Sequence, residues 1–489
     1  MSEQRVHLRR LGREFVAAAF DVLAARHVVP PSDFYPFVAA GRDYAGDEIG
    51  RLAEFRALEA LLNETYPHRF GEPLKRRHAE FASTYLFSVL EACIARCARD
   101  RSFHAMSHAV DESIDELLEV LEANSYSVVC CRHVSHLTTS GQEVQVGDVT
   151  VVPEPDGFGG LVDRIEREIR GAAQAWKGED PRPYDPPHSL IIVRETTEDP
   201  NPYKVETRLS GKIGRFLLLA RLLTAGTVQS TYEVSGMTTL VARMTPQMRT
   251  FRKGTLDALV RRTIRLTGEE HPAFAALGDL IDAAEVRREG MVWPSFDVAL
   301  ANFNRSHRSD SPYELLVDLA TALEAALIGA EKETEGLTLR LRTRVAALLA
   351  TDDDPAKDLF EDVKSLYKLR SRLVHGGQMK LKDLRKIIAG ISTMPADAAE
   401  NRIGVAEFYA VDRMRDLVRR AILARLCLAA DPDPRWPFDV DTPVDAILAD
   451  DSQRADWRAE WRRRLSELGV EHAADKPRSA VDFLSPDDR

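Results

Sequence analysis

Arg370 and His375, five residues apart in the stretch LYKLRSRLVHGG (366–377), are residue types suited to handling a phosphodiester. Arginine grips phosphate through a planar fork of donors and stays charged at any working pH. Histidine exchanges a proton near neutrality. Together they suit RNA transesterification, in which the 2′-hydroxyl attacks the adjacent phosphate. One group accepts the hydroxyl proton, another protonates the departing 5′-oxygen, and the arginine stabilises charge building on phosphorus. This chemistry calls for no metal and no cofactor. It works best with two proton-transfer groups, and after residue 310 the other histidine is His472, in the C-terminal tail. A symmetric dimer that sets two copies of the motif face to face would supply the second.

The element that must carry the pair is a helix. Asp354 is the expected N-cap and Pro355 the first helical residue. Leu359, Val363, Leu366 or Tyr367, Leu373 and Val374 then recur at helical spacing as one apolar face. Arg370 stands four residues after Leu366 and four before Val374, which puts it on that face. Gly376 and Gly377 are suited to ending the helix in a left-handed conformation. His375 then falls in the last turn, where the helix C-terminus favours its protonated form. Between 364 and 386 the basic residues Lys364, Lys368, Arg370, Arg372, Lys380, Lys382, Arg385 and Lys386 are opposed only by Asp383. That local excess is the footprint of a phosphate-backbone contact, with Lys364, Lys368, Arg372, Lys380 and Lys382 as candidate RNA-binding residues.

The whole chain is different in character. Its 489 residues carry a formal charge of −11, which argues against coating nucleic acid along its length and leaves room for a local basic patch. The size allows two to four domains with sizeable cores. The start, MSEQRVHLRRLGREF, has charges where a secretory signal needs an apolar run, so a cytoplasmic location is expected. The longest apolar run, RFLLLARLLTAGTV (215–228), is interrupted by Arg221 and is too short to span a bilayer. Five cysteines in a chain of this length read as reduced thiols, not as a disulfide framework.

The expected fold class is mainly α with a mixed α/β middle region and a C-terminal antiparallel helical bundle. Residues 1–125 show helical periodicity in EFVAAAFDVLAARHV, EIGRLAEFRALEALLNETY, EFASTYLFSVLEACIARCA and DESIDELLEVLEA, with PPSDFYPF as a loop. From 126 to 270 the pattern mixes strand and helix. SYSVVCCRHV, SLIIVRETT, YKVETRLS and TVQSTYEVSG read as strands, and EVQV–GD–VTVV as a hairpin. LVDRIEREIRGAAQAW (161–176) and GKIGRFLLLARLLTAG read as helices. Residues 273–430 are almost wholly helical with short connections, opened in part by Ser311, Pro312 and Glu314 in a capping-box arrangement. Residues 431–489 form a charged, proline-containing extension with one basic helix, ADWRAEWRRRLSEL, and a disordered last fifteen residues.

The string LYKLRSRLVHG resembles the RxxxxH signature of HEPN domains, specifically the ApeA-like branch. Tyr367, Arg370, Ser371, Val374, His375 and Gly376 are the matching positions, and VDLATALEAAL and LRLRTRVAALL resemble the helices that precede them. The likeness covers roughly 275–430. It implies a helical bundle that forms a homodimer and acts as a metal-independent endoribonuclease, with Arg370 and His375 catalytic. It further implies an effector of bacterial antiphage defence or a toxin-like system, with tRNA among the possible targets. Asp318 and Glu324, on the early helix, either orient Arg370 or a proton-transfer group or form the solvated side of their own helix. Tyr367 is expected in the core with its hydroxyl near the site. Ser371 stands where other HEPN nucleases carry a polar residue such as Asn or Asp. On this reading the N-terminal 270 residues sense a trigger or restrain the nuclease. Other HEPN domains are catalytically silent scaffolds that bind a protein partner or a nucleotide, and the fold alone does not separate the two.

Rival motifs are weaker. CCRHVSH offers Cys130, Cys131, His133 and His136, but alternation along a strand sends the two cysteines to opposite faces, and no CxxC pair completes a zinc spacing. His104 and His108 lack further ligands. Neither FGG at 158–160 nor GDE at 46–48 has the P-loop lysine, and GxSxG and HExxH are absent from the sequence. Arg340, Arg342 and Arg344 alternate, so one or two of them at most are expected to face the site and the rest to be solvated.

Overall fold

The computed structural model describes residues 3–25, 48–67, 82–97, 106–123, 125–139, 141–153, 188–198, 202–237, 247–250, 263–286, 295–308, 311–329, 336–374, 379–401, 403–430, 433–438 and 442–474. The loop expected at 30–37, the helix expected at 161–176, His104, His375 with its glycine pair, and the last fifteen residues lie outside the described residues.

The chain is mostly helical, with a small antiparallel sheet in the middle. Helices α1 (Glu3–Ala25), α2 (Ala53–Thr65), α3 (Ala82–Cys97) and α4 (Ser107–Glu122) pack on one another. Phe15, Val16, Ala19 and Phe20 form the buried face of α1, and Phe15 meets Phe55 edge-on at 5.5 Å. The opposite edge is registered by charge. Arg5, Arg9 and Arg13, spaced one turn apart on α1, pair with Glu122, Asp115 and Asp111 on α4.

The sheet follows: β1 (Tyr126–Ser135), β3 (Val144–Val146), β4 (Val149–Pro153), β5 (His188–Thr197), β6 (Gln229–Met237) and β7 (Gln247–Thr250), in the order β3-β4-β5-β1-β6-β7. β1 sits inside it, antiparallel to both β5 and β6. The β3–β4 hairpin turns at Gly147, whose φ of 56° is one that glycine adopts without strain. His136 also has positive φ (62°), at the point where β1 gives way to β2 (Leu137–Thr138), which pairs parallel with β8 (Ile264–Arg265).

Helix α5 (Pro202–Leu223) covers one face of this sheet. Its first turns, YKVETRLS, are helical where alternation predicts a strand. Val205 and Leu209 are both fully buried in phase with Ile213, Leu217 and Ala220, so the helical period buries more apolar surface than the two-residue period would.

The C-terminal region comprises α6 (His271–Val286), α7 (Ser295–Arg305), α8 (Pro312–Leu327), α9 (Leu337–Leu349), α10 (Ala356–Val374), α11 (Leu381–Ile388), α12 (Ala396–Asn401), α13 (Ile403–Ala429), α14 (Val444–Ala449) and α15 (Asp451–Glu467). The 27-residue α13 is its axis and touches α5 through α10, α11, α12 and α15. The basic helix of the extension is α15, which buries Trp457, Trp461 and Leu465 and packs against α9 and α13. Among the described residues no helix is long and apolar enough to cross a membrane.

Candidate active site

Helix α10 is clamped at its start and open at its end. Asp354 does not act as the expected N-cap. Its carboxylate turns inward, 2.7 Å from Arg413 and 2.6 Å from Arg420 of α13. Asp362, two turns on, meets Arg413 at 2.8 Å and accepts from the Ser392 amide at 2.7 Å. All four charged side chains are buried, and Asp416 completes the set at 2.7 Å from Arg420. Burial alone would raise the Asp354 carboxyl, but Arg413 and Arg420 outweigh it and hold it below its usual range. Two buried guanidiniums satisfied by three carboxylates fix α10 against α13 in one register.

From this clamp the apolar stripe runs through Leu359, Val363, Leu366, Tyr367 and Leu369, all buried. Arg370 comes next and is half-buried; its Nε is shielded from water and has no hydrogen-bond partner among the described residues. Val374, expected on the buried stripe, is 49 % exposed, so this face emerges from the core across the last turn. Arg370 therefore sits at the line where core becomes surface.

Two candidate supporting residues converge there. The buried Tyr367 hydroxyl donates to the Ala320 carbonyl of α8 at 3.0 Å. Glu324, one turn further along α8, acts on the same phenol. Burial first, then Glu324, push the Tyr367 pKa well up, while Arg370 pulls the other way. Tyr367 is thus a neutral donor, its hydroxyl spent on the Ala320 carbonyl. Asp318 is not brought to this point: it pairs with Arg305 of α7 at 2.7 Å. Ser371 is exposed at the surface beside Arg370. Lys368, Arg372, Lys380, Lys382, Arg385 and Lys386 are exposed as well, and Lys364, also exposed, is engaged by Glu361 at 2.6 Å.

The alternating arginines of α9 are not mostly solvated as expected. Arg344 is buried, bonded to the Leu327 carbonyl at 2.7 Å and to Asp445 at 2.6 Å. Arg340 shares Asp445, and Arg342 lies 3.7 Å over the Phe360 ring. They fasten α14 and α10 to α9, and no spacing rule in the sequence names partners a hundred residues away. In β1, Cys130 joins the main core and Cys131 a separate cluster with Val129, Val152, Leu190 and Ile192, so the thiols occupy opposite faces of the sheet. Burial pushes the Cys130 thiol well up, which keeps it protonated.

Compared with protein-family models, with curated proteins and with solved structures, the chain matches none.

Proposed function

We propose that the C-terminal bundle is a HEPN-type ribonuclease that cleaves RNA, tRNA among its possible substrates, by 2′-hydroxyl transesterification and works as a homodimer. The observation that supports this reading most is the setting of Arg370. Arg370 is half-buried, its shielded Nε has no hydrogen-bond partner among the described residues, and Lys368 and Arg372 near it on α10 are exposed. A guanidinium partly withdrawn from water interacts more strongly with a phosphate than one in bulk solvent.

In the proposed reaction the exposed basic residues bring in the RNA backbone, and Arg370 bonds the non-bridging oxygens of the scissile phosphate as negative charge builds. His375, five residues along the chain, exchanges the proton with the 2′-hydroxyl or the 5′-leaving oxygen, and His375 of a second copy takes the other role. The N-terminal helices and the sheet would keep this activity in check until a trigger arrives, since an unrestrained ribonuclease harms the cell that makes it.

The test is Arg370→Ala. Cleavage of total tRNA is expected to fall by about two to three orders of magnitude, the scale of losing one transition-state charge partner, while the thermal unfolding midpoint stays close to wild type. Equal cleavage by variant and wild type would assign the activity elsewhere. If the folded wild type stays inert on RNA even with phage-infected extract added as trigger, the bundle is a silent scaffold.

A further inference from the structure

We infer that a recess between the sheet region and the bundle binds a small phosphorylated ligand. The recess is lined by the end of α5, the α5–β6 turn, the end of α7 and α13, with Arg221, Thr227, His307, Arg415 and Arg419 among its walls. It lies apart from Arg370 and takes no residue from α10.

Arg221 carries the inference. It is the residue that interrupts the apolar run of α5, and it is 2 % exposed. Its Nε and Nη2 donate to the Val228 carbonyl at 3.2 and 2.5 Å, and its Nη1 to the Asn304 amide oxygen. Both acceptors are neutral, and no carboxylate among the described residues pairs with it. Burial above all, and then the positive charges of Arg308, Arg132 and Arg415, lower its pKa well below the ordinary arginine value. A buried guanidinium among other guanidiniums is costly unless a counter-charge meets it. Two other buried arginines have that counter-charge: Arg413 has Asp354 and Asp362, and Arg132 has Glu233.

The acids that also line the recess are already engaged, Asp412 by Arg415 at 2.6 Å and Asp416 by Arg420 at 2.7 Å. Arg415 and Arg419 further hold carbonyls, Ser306 at 2.9 Å and Glu471 at 2.6 Å. Three planar forks, Arg221 from α5 and Arg415 and Arg419 from α13, suit a phosphoryl group, which accepts from more than one guanidinium at once. A phosphoryl group seated here would bridge α5 and α13.

The experiment is thermal unfolding and titration calorimetry on the full-length protein with inorganic phosphate, ATP, adenosine and citrate at matched ionic strength. A saturable rise in Tm is expected with phosphate or ATP and not with adenosine. Phosphate alone identifies the free ion as sufficient; ATP alone identifies a phosphate ester. For Arg221→Met, the ligand-free Tm is expected to rise, because the lone charge is gone, and the affinity to weaken at least tenfold. If that variant does not fold, the exposed Arg308→Glu decides, with affinity expected to weaken several-fold. Absence of a saturable response to phosphate and ATP, a larger response to citrate, or affinity unchanged in the variant that folds would each overturn the site.

Discussion

Arg370 takes its proposed chemistry from where α10 leaves the core. A turn earlier the same face is sealed, and a turn later Val374 is in water. The sequence made this legible, because a charged residue in phase with an apolar stripe is visible by spacing alone. Whether Tyr367 merely packs is answered by Tyr367→Phe. Removing the bond to the Ala320 carbonyl is expected to cost about 1 kcal/mol, measured as a shift of the urea midpoint, and a much larger loss would place the hydroxyl in a wider network. Asp354 was legible only in part. Aspartate before proline at a helix start is a local capping signal, but the partners that turn it inward lie 59 and 66 residues along the chain, on α13. Local patterns carry no information about such partners. The same reason hides Arg221, whose isolation is a property of what surrounds it in space.

At the scale of elements, the buried charges of α13 hold α10 in place. Asp354→Ala leaves Arg413 and Arg420 short of a carboxylate and is expected to cost about 3–5 kcal/mol, read from chemical denaturation. The pH dependence has a defined sign. The Asp354 carboxyl is depressed in the folded state, so its stabilisation is present above the unfolded value of about 3.9 and is lost as pH falls through the lower folded value. The wild type should therefore lose stability in acid more steeply than Asp354→Ala, compared by urea midpoints from neutral pH downward. Parallel curves would mean that the carboxylate contributes nothing through its charge. Most elements were legible from periodicity, including the β3–β4 hairpin and the helices of the C-terminal region. The start of α5 was not, because Val205 and Leu209 fit a strand as a short run and show their helical phase only against Ile213 and Ala220.

For the whole molecule, the coarse plan was legible: helices, then a sheet, then helices again. The two-copy arrangement of the proposed site is a statement about a second chain, and two exposed apolar side chains near the basic surface bear on it. Val374 and Leu381 are 49 % and 52 % exposed, at the end of α10 and the start of α11. Val374→Asp with Leu381→Asp is expected to turn a dimer into a monomer in light scattering behind size exclusion and to lower cleavage with it; a double variant that stays dimeric would place the interface elsewhere. The ends of the RNA products distinguish transesterification at Arg370 and His375 from any other cleavage. Wild type and His375→Ala are incubated with total tRNA in EDTA, and the 3′ ends are mapped. The wild type is expected to leave 2′,3′-cyclic phosphate ends and the variant none. Products ending in a 3′-hydroxyl, or cyclic ends from both proteins alike, would contradict transesterification by this pair.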